Sequence, residues 1–326
     1  MFMGFNHTVH GFILLGLAES PGMQLPLFGV FLLMYVLTLL GNLGMMALVR
    51  TDRGLNIPMY FFLGHFSFVD ACYSTVIMPS MLVSLASGNN DISFEGCVTK
   101  LYSFMFFGIA ECYIMAIMAY DRYTAVCNPL RYVVMLPQAV CIQLVSMSYV
   151  LGVLYAAIYT GCTFGGSFGK SNIIDHFFCD VSPLLKLSGS DRIIRERVIF
   201  AFVSINGIST SGIIVVSYLY NLSTVLRMSS TQSRSKAFNT CASHMMVILV
   251  PTQSLLYLCC LPHCLTLYYG SFIYAWPSSA YVLGRDKVVF VLYTMVMPML
   301  NPFIYTLVSQ DEKDALKRLV KRQTAS

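Results

Sequence analysis

The chain has 326 residues, of which 57% are hydrophobic and 11% charged, and its mean hydropathy is +0.70. A soluble domain carries about 25% charged residues, so 20 Lys+Arg and 15 Asp+Glu are too few to coat a soluble core of this size. The net charge of +5 does not point to nucleic acid, because its placement follows a membrane topology.

A helix that crosses about 30 Å of hydrocarbon needs roughly 20 apolar residues. Residues 1–24 precede the first such stretch and carry the glycosylation sequon Asn6-His7-Thr8. Their short apolar run, Phe12–Ala18, has no basic residue before it, unlike a cleaved signal peptide. The first span, Leu25–Val49, contains Asn42, and the second, Met59–Leu85, follows Pro58 and contains Asp70. Cys97 stands just ahead of the third span, Leu101–Ala119, which contains Glu111 and leads into Asp121-Arg122-Tyr123. The fourth span is Val140–Tyr159, and an outer loop of residues 160–197 separates it from the fifth, Val198–Leu222. The sixth, residues 237–272, is longer than one crossing needs. The seventh, Val288–Val308, ends in Asn301-Pro302-Phe303-Ile304-Tyr305. In the tail, residues 309–326, Ala315, Leu316, Leu319 and Val320 can share a helical face flanked by Lys317, Arg318, Lys321 and Arg322. That pattern reads as a short amphipathic helix on an anionic leaflet. The reading is an all-α membrane protein: a seven-transmembrane helix bundle with a short amphipathic C-terminal helix.

An odd number of spans puts the termini on opposite sides. Twelve basic and five acidic residues fall on the C-terminal side, a net +7, against eight and eight on the other side. The positive-inside rule then places the C-terminus in the cytoplasm and the N-terminus, with Asn6, outside.

Ionisable residues inside a membrane are costly and default to a functional reading. Asp70 lies about 18 Å from Pro58 along its helix, and Glu111 about 16 Å from Arg122, so the two acids sit at similar depth. Two such acids do not both ionise without a cation, so one holds a proton or the pair shares one. With Asn42 and Asn301 they form a hydrated switch core, an ion site, or a structural hydrogen-bond network. Asp121 beside Arg122 can pair in one state and release the Arg in another, and Pro302 permits a kink that moves Tyr305. Cys97 lies about 37 Å of helix from Arg122, on the oxidising side, where Cys179 of the outer loop is its natural partner in a disulfide. His176, three residues before Cys179, invites a copper reading, but a disulfide-bonded sulfur is not a thiolate ligand, so no metal is expected.

Six motifs in order carry a resemblance: Gly41-Asn42, Pro58–Leu63 (PMYFFL), Met118–Cys127 (MAYDRYTAVC), Ser217-Tyr218, Lys236–His244 (KAFNTCASH) and Pro298–Tyr305 (PMLNPFIY). They run through nearly the whole chain, which resembles the olfactory receptors of the rhodopsin-like G-protein-coupled receptor superfamily. The resemblance implies a plasma-membrane receptor that binds a small volatile odorant, activates a stimulatory heterotrimeric G protein and raises cyclic AMP, without a cofactor or a catalytic site. Arg122 would meet the G protein, with Tyr218 and Tyr305 closing around it. Helical geometry places Phe104, Met105, Gly108 and Ile109 of the third span in the ligand layer. Phe202, Val203 and Asn206 of the fifth, Tyr269 of the sixth and Thr294 of the seventh face them. This lining is mostly apolar and suits a weakly polar ligand. No acid stands at Phe104, where amine receptors of the superfamily place one.

Two departures stand out. The family's second pair of outer-loop cysteines is replaced here by Gly169 and Gly189, so the loop is expected to be looser, held by Cys97–Cys179 alone. The family's Phe-Tyr-Gly element closely follows the Ser-His pair, whereas here Gly270 falls 26 residues after His244, with Pro251, Cys259, Cys260, Pro262 and Cys264 between. The alternatives are therefore a chemoreceptor of this family used outside the nose, or one disabled by its sixth span. More remote is a proton or ion transporter using Asp70 and Glu111, although no internal repeat supports it. An enzyme is not expected, since neither a His-Glu-x-x-His run nor a Gly-x-Gly-Asp element occurs.

Overall fold

The computed structural model describes residues 11–15, 21–55, 57–168, 172–189, 192–227 and 291–308. Five helices in it are long and apolar enough to cross a membrane. They are α1 (Pro21–Thr51), α2 (Pro58–Ser87), α3 (Phe94–Cys127), α5 (Gln138–Phe164) and α7 (Arg192–Arg227). Two short helices, α4 (Tyr132–Met135) and α6 (Val181–Leu187), lie in the connections. A π-helical turn, Leu292–Val296, leads into α8 (Met297–Val308), which occupies the place of the expected seventh span. The expected sixth span and amphipathic tail helix, with Tyr269 and Asn6, lie outside the described residues.

Each of the five long helices outruns its apolar stretch, and at α2 and α3 capping signals rather than hydropathy set the ends. Pro58 opens α2 at its first position, where the missing N–H costs nothing. Gly88 closes α2 with a left-handed φ of 67° and returns its N–H to the Ser84 carbonyl at 2.9 Å. Ser93 caps α3 by accepting the Gly96 N–H at 3.1 Å, with Glu95 in the first turn. The outer loop expected at residues 160–197 is accordingly narrower, since α5 continues to Phe164 and α7 begins at Arg192.

The bundle packs α1 on α2, α2 on α3, and α3 on both α5 and α7, while α8 leans on α1 and α2. Gly41 permits the close α1–α8 approach: a Cβ there would stand 3.2 Å from the Pro302 ring. Large apolar side chains are exposed along the outside of the bundle, among them Leu33 and Leu40 on α1 and Ile208 and Leu219 on α7. In water such surfaces would aggregate, whereas in lipid they are solvated.

A small sheet was not anticipated. β1 (Gly11–Leu14) lies between β2 (Asp91–Ser93), to which it is antiparallel, and β3 (Ile173–Ile174), to which it is parallel. It covers the end of the bundle that holds Cys97, and Arg122 lies at the other end.

Candidate functional site

The disulfide end is built around Cys97 and Cys179, which are bonded, with their Cα atoms 5.7 Å apart. Both are fully buried and sit in one apolar cluster with Phe12, Leu101, Ile109, Tyr159 and Ile199. Met105, Phe202 and Val203 pack against that cluster, so four of the residues expected to line a ligand layer come together across α3 and α7. Phe104 belongs to a neighbouring cluster toward α2, stacked on Tyr73 at 5.1 Å and tilted against Phe178 at 5.0 Å. A Cβ on Gly108 would meet the same Tyr73 ring at 3.4 Å. Met105 touches both clusters and joins the two halves. Thr294 is buried beside Met295, which also belongs to the Phe104 cluster.

Asn206 is the polar member of the layer. It is buried on α7, and its side-chain oxygen has no hydrogen-bond partner among the described residues. One turn away on α7, Ser209 donates to the Asn206 carbonyl at 3.0 Å, near the Tyr113 hydroxyl of α3 and Tyr155 of α5. Tyr73, Tyr113 and Tyr155 were missed by the sequence reading. Tyrosines inside apolar runs look like any other packing residue until their neighbours are known.

The outer loop is tied down by hydrogen bonds as well as by its disulfide. Phe168 pairs with Ser188 in an antiparallel bridge, and the Gly189 N–H donates to the Ser167 carbonyl at 2.9 Å. The Arg195 guanidinium donates to the Ser188 hydroxyl while lying against Gly166, where any side chain would displace it. Backbone hydrogen bonds thus hold the strip flanking Gly189. The His176 ring accepts the Phe178 N–H at 3.2 Å through Nδ1 and stacks on Phe177, so that nitrogen serves the loop's own turn.

At mid-depth, Asn301 on α8 donates to Asp70 Oδ2 on α2 at 2.8 Å. Asn42 on α1 donates to the Thr38 carbonyl at 2.9 Å and across to the Pro298 carbonyl at 3.0 Å. That second bond satisfies a carbonyl close to the Pro302 break in α8. Asp70, Glu111, Asn42 and Asn301 are all buried, and Asp70 and Glu111 are near enough to feel each other's charge. The second carboxylate oxygen of Asp70, one of Glu111 and the Asn42 side-chain oxygen have no hydrogen-bond partner among the described residues. The four residues singled out from the sequence therefore converge in the bundle, and three acceptor atoms remain available there.

At the Arg122 end, Asp121 is buried and its carboxylate accepts the Tyr132 hydroxyl at 2.8 Å. Tyr132 reaches it from α4, eleven residues along the chain. Burial, followed by the adjacent Asp121 charge, pushes the Tyr132 hydroxyl well above the usual tyrosine range, so it remains a donor. No periodicity or motif distinguished this tyrosine in the sequence. Tyr123 packs on Tyr220 of α7 at 5.6 Å, and Tyr218 is buried in the α2–α3 core cluster. Cys127 lies 3.0 Å from the Thr224 hydroxyl, a further α3–α7 contact. Pro302 is buried, and Tyr305 lies within α8.

Comparison with known proteins places this geometry in context. The family model described as olfactory receptor matches residues 31–323. Olfactory receptor 5AP2 of Mus musculus is 49% identical over 311 residues, covering 95% of this chain and 93% of its own. Olfactory receptor 8U9 of Homo sapiens is 44% identical over 311 residues, 95% of each chain, and olfactory receptor 8U3 of Mus musculus is 43% identical over 316 residues, 96% of this chain and 94% of its own.

Proposed function

The chain belongs to the olfactory receptor family, and on that premise we propose that it is an odorant receptor whose ligand sits among Met105, Ile109, Phe202, Val203 and Asn206 and whose Arg122 end drives a stimulatory G protein to raise cyclic AMP. It is a multi-pass membrane receptor and not an enzyme, as its relatives are. The observation that carries the reading is the polar relay between the two ends. Asn301–Asp70 and Asn42–Pro298 join α1, α2 and α8 at mid-depth, between an apolar outer layer and the Asp121–Tyr132 pair. A ligand that shifts the outer layer changes the packing of α3, and α3 carries Glu111 beside the relay and Arg122 at its far end.

The chemistry of the layer sets the ligand class. Four apolar side chains and one buried amide oxygen, without a partner among the described residues, favour a small volatile with a single donor group, such as an alcohol. The orientation goes with this reading: the disulfide end faces the outside and the Arg122 end the cytoplasm.

The test is odorant-evoked cyclic AMP in cells whose surface display is confirmed by an N-terminal tag, using a panel of chemically diverse volatiles. The full chain and a variant shortened between His244 and Thr266 are compared. A response from the full chain supports the reading, and Arg122→Ala then abolishes it at unchanged display. A response from the shortened chain alone marks the long sixth span as disabling. Silence from both at full display overturns the reading.

A further inference from the structure

The three-stranded sheet brings together segments that the sequence keeps far apart. Its central strand, β1, comes from the N-terminal region, β2 from the connection between α2 and α3, and β3 from the loop that carries Cys179. The β1 backbone alternates its donors. The Ile13 and Leu15 N–H groups reach the Asn172 and Ile174 carbonyls, both at 2.9 Å, and the Leu14 N–H reaches the Asn90 carbonyl at 3.0 Å. Without β1, the β2 and β3 segments have no contact with each other in the sheet.

The inner face of β1 is anchored by Phe12, which is 1% exposed. Its ring stands 5.4 Å from Phe168 and 6.0 Å from Phe94, and Phe164 completes the group at 5.3 Å from Phe94. These four rings come from the N-terminal strand, the first turn of α3, the last residue of α5 and the loop after it. Gly11 lets the strands meet, because a Cβ there would lie 2.8 Å from the Ile92 carbonyl oxygen. Phe12 also shares its apolar cluster with Cys97, Cys179 and Ile109, against which Met105, Phe202 and Val203 pack. The strand is therefore continuous with the layer to which the proposed function assigns the ligand, on the side from which a water-borne odorant would arrive.

We propose that β1 is a lid on the ligand chamber: Phe12 latches it into the four-ring cluster, its backbone ties the two neighbouring loops together, and an odorant gains access when the latch releases. The proposal rests on the assignment of the ligand layer above. The sheet is short, with two to four residues in each strand, so it is marginal by itself and its closure depends on Phe12. Phe12 is a positioning residue that acts through the loops it holds.

The test reads access directly and needs neither an odorant nor a G protein. Met105→Cys is introduced into the full-length receptor on intact cells, and its reaction with a membrane-impermeant thiosulfonate is timed. Labelling of the receptor without this substitution supplies the background from native cysteines. Adding Phe12→Ala should speed labelling at least tenfold at comparable surface display. An opposing variant guards against misfolding. Ile13 and Asp91 are exposed cross-strand partners, so Ile13→Cys with Asp91→Cys should form a bond that fixes the lid shut. Labelling at position 105 should then slow at least tenfold, with recovery on mild reduction. Unchanged labelling in the cross-linked receptor, or in a displayed Phe12→Ala receptor, overturns the lid. Silence of both the full and the shortened receptor, each with Met105 in place, alongside both labelling changes in the Met105→Cys background, keeps the lid and loses the ligand assignment.

Discussion

Replacing Cys97 with serine removes the covalent tie between α3 and the outer loop, and the cost follows from the loop it closes. The sequence separation is 82 residues, for which the chain-entropy treatment gives about 4.5 kcal/mol. That value assumes that every residue between the cysteines gains freedom. In a membrane, α3 and α5 can stay inserted when their packing is lost. Only the stretch from the end of α5 at Phe164 to Cys179, about 15 residues, is then released, and the cost falls to about 3 kcal/mol. At tenfold per 1.4 kcal/mol this range is about 100-fold to 1,000-fold in the folded fraction. The expected outcome is a large loss of antibody staining on intact cells. In detergent, the melting midpoint should drop by at least about 4 °C, at about 1.5 °C per kcal/mol for a chain of this size. Cys112, buried in the core, provides the thiol whose exposure to a dye reports melting. Cys97→Ser with Cys179→Ser should be no worse than either alone, since both remove the same bond. A Cys97→Ser receptor with parental staining and a midpoint within about 2 °C would refute the entropic argument.

Other perturbations act at the relay and at the Arg122 end. Tyr132→Phe deletes a hydrogen bond to a buried carboxylate, worth about 1.5–3 kcal/mol, and should raise basal cyclic AMP several-fold by releasing Asp121; unchanged basal signal at equal display counts against that. Because the Tyr132 hydroxyl titrates above its unfolded value, its contribution is complete below about pH 10 and is lost as pH rises through the raised value. A detergent melting series from pH 7 to pH 10 should therefore show the same Tyr132→Phe deficit throughout. Asp70→Asn keeps an acceptor for Asn301 and should leave the midpoint within about 1 °C, whereas Asp70→Leu leaves the Asn301 amide without it and should cost about 1–3 kcal/mol, or about 1.5–4.5 °C. Equal midpoints for the two variants would show that the bond does not matter. Gly41→Val forces branched bulk against the Pro302 ring and should cost about 1–3 kcal/mol, read as reduced display; normal display would mean that α8 can move aside.

Most of the bundle was legible because apolar length and isolated polar residues are local signals. Asp70, Glu111, Asn42 and Asn301 could be placed at one depth by counting helical rise, and the structure brings them together. The disulfide was legible because helix length put Cys97 at one end of α3, the end that meets the Cys179 loop. The sheet was not, since its three strands have two to four residues each and pair only through tertiary contact. Tyr132 escaped for a similar reason: its value lies in a carboxylate it meets through a turn, not in any pattern of its own. Helix ends were placed short because Ser93 and Gly88 act through backbone hydrogen bonds that hydropathy does not register.

The π turn at Leu292–Val296 bears on how positions are matched between receptors. Such a turn accommodates one residue more than an α-helix would, and so rotates everything before it by about 100° relative to everything after. Residues from Met297 onward, including Asn301 and Pro302, keep their facing when counted from one another. Thr294 does not, because it lies within the turn, and stepping back from Asn301 in units of 3.6 points it toward the wrong neighbour. A relative whose last helix is α-helical throughout would present a different residue at the same spot. Odorant preferences aligned column by column would then compare side chains that never occupy the same space.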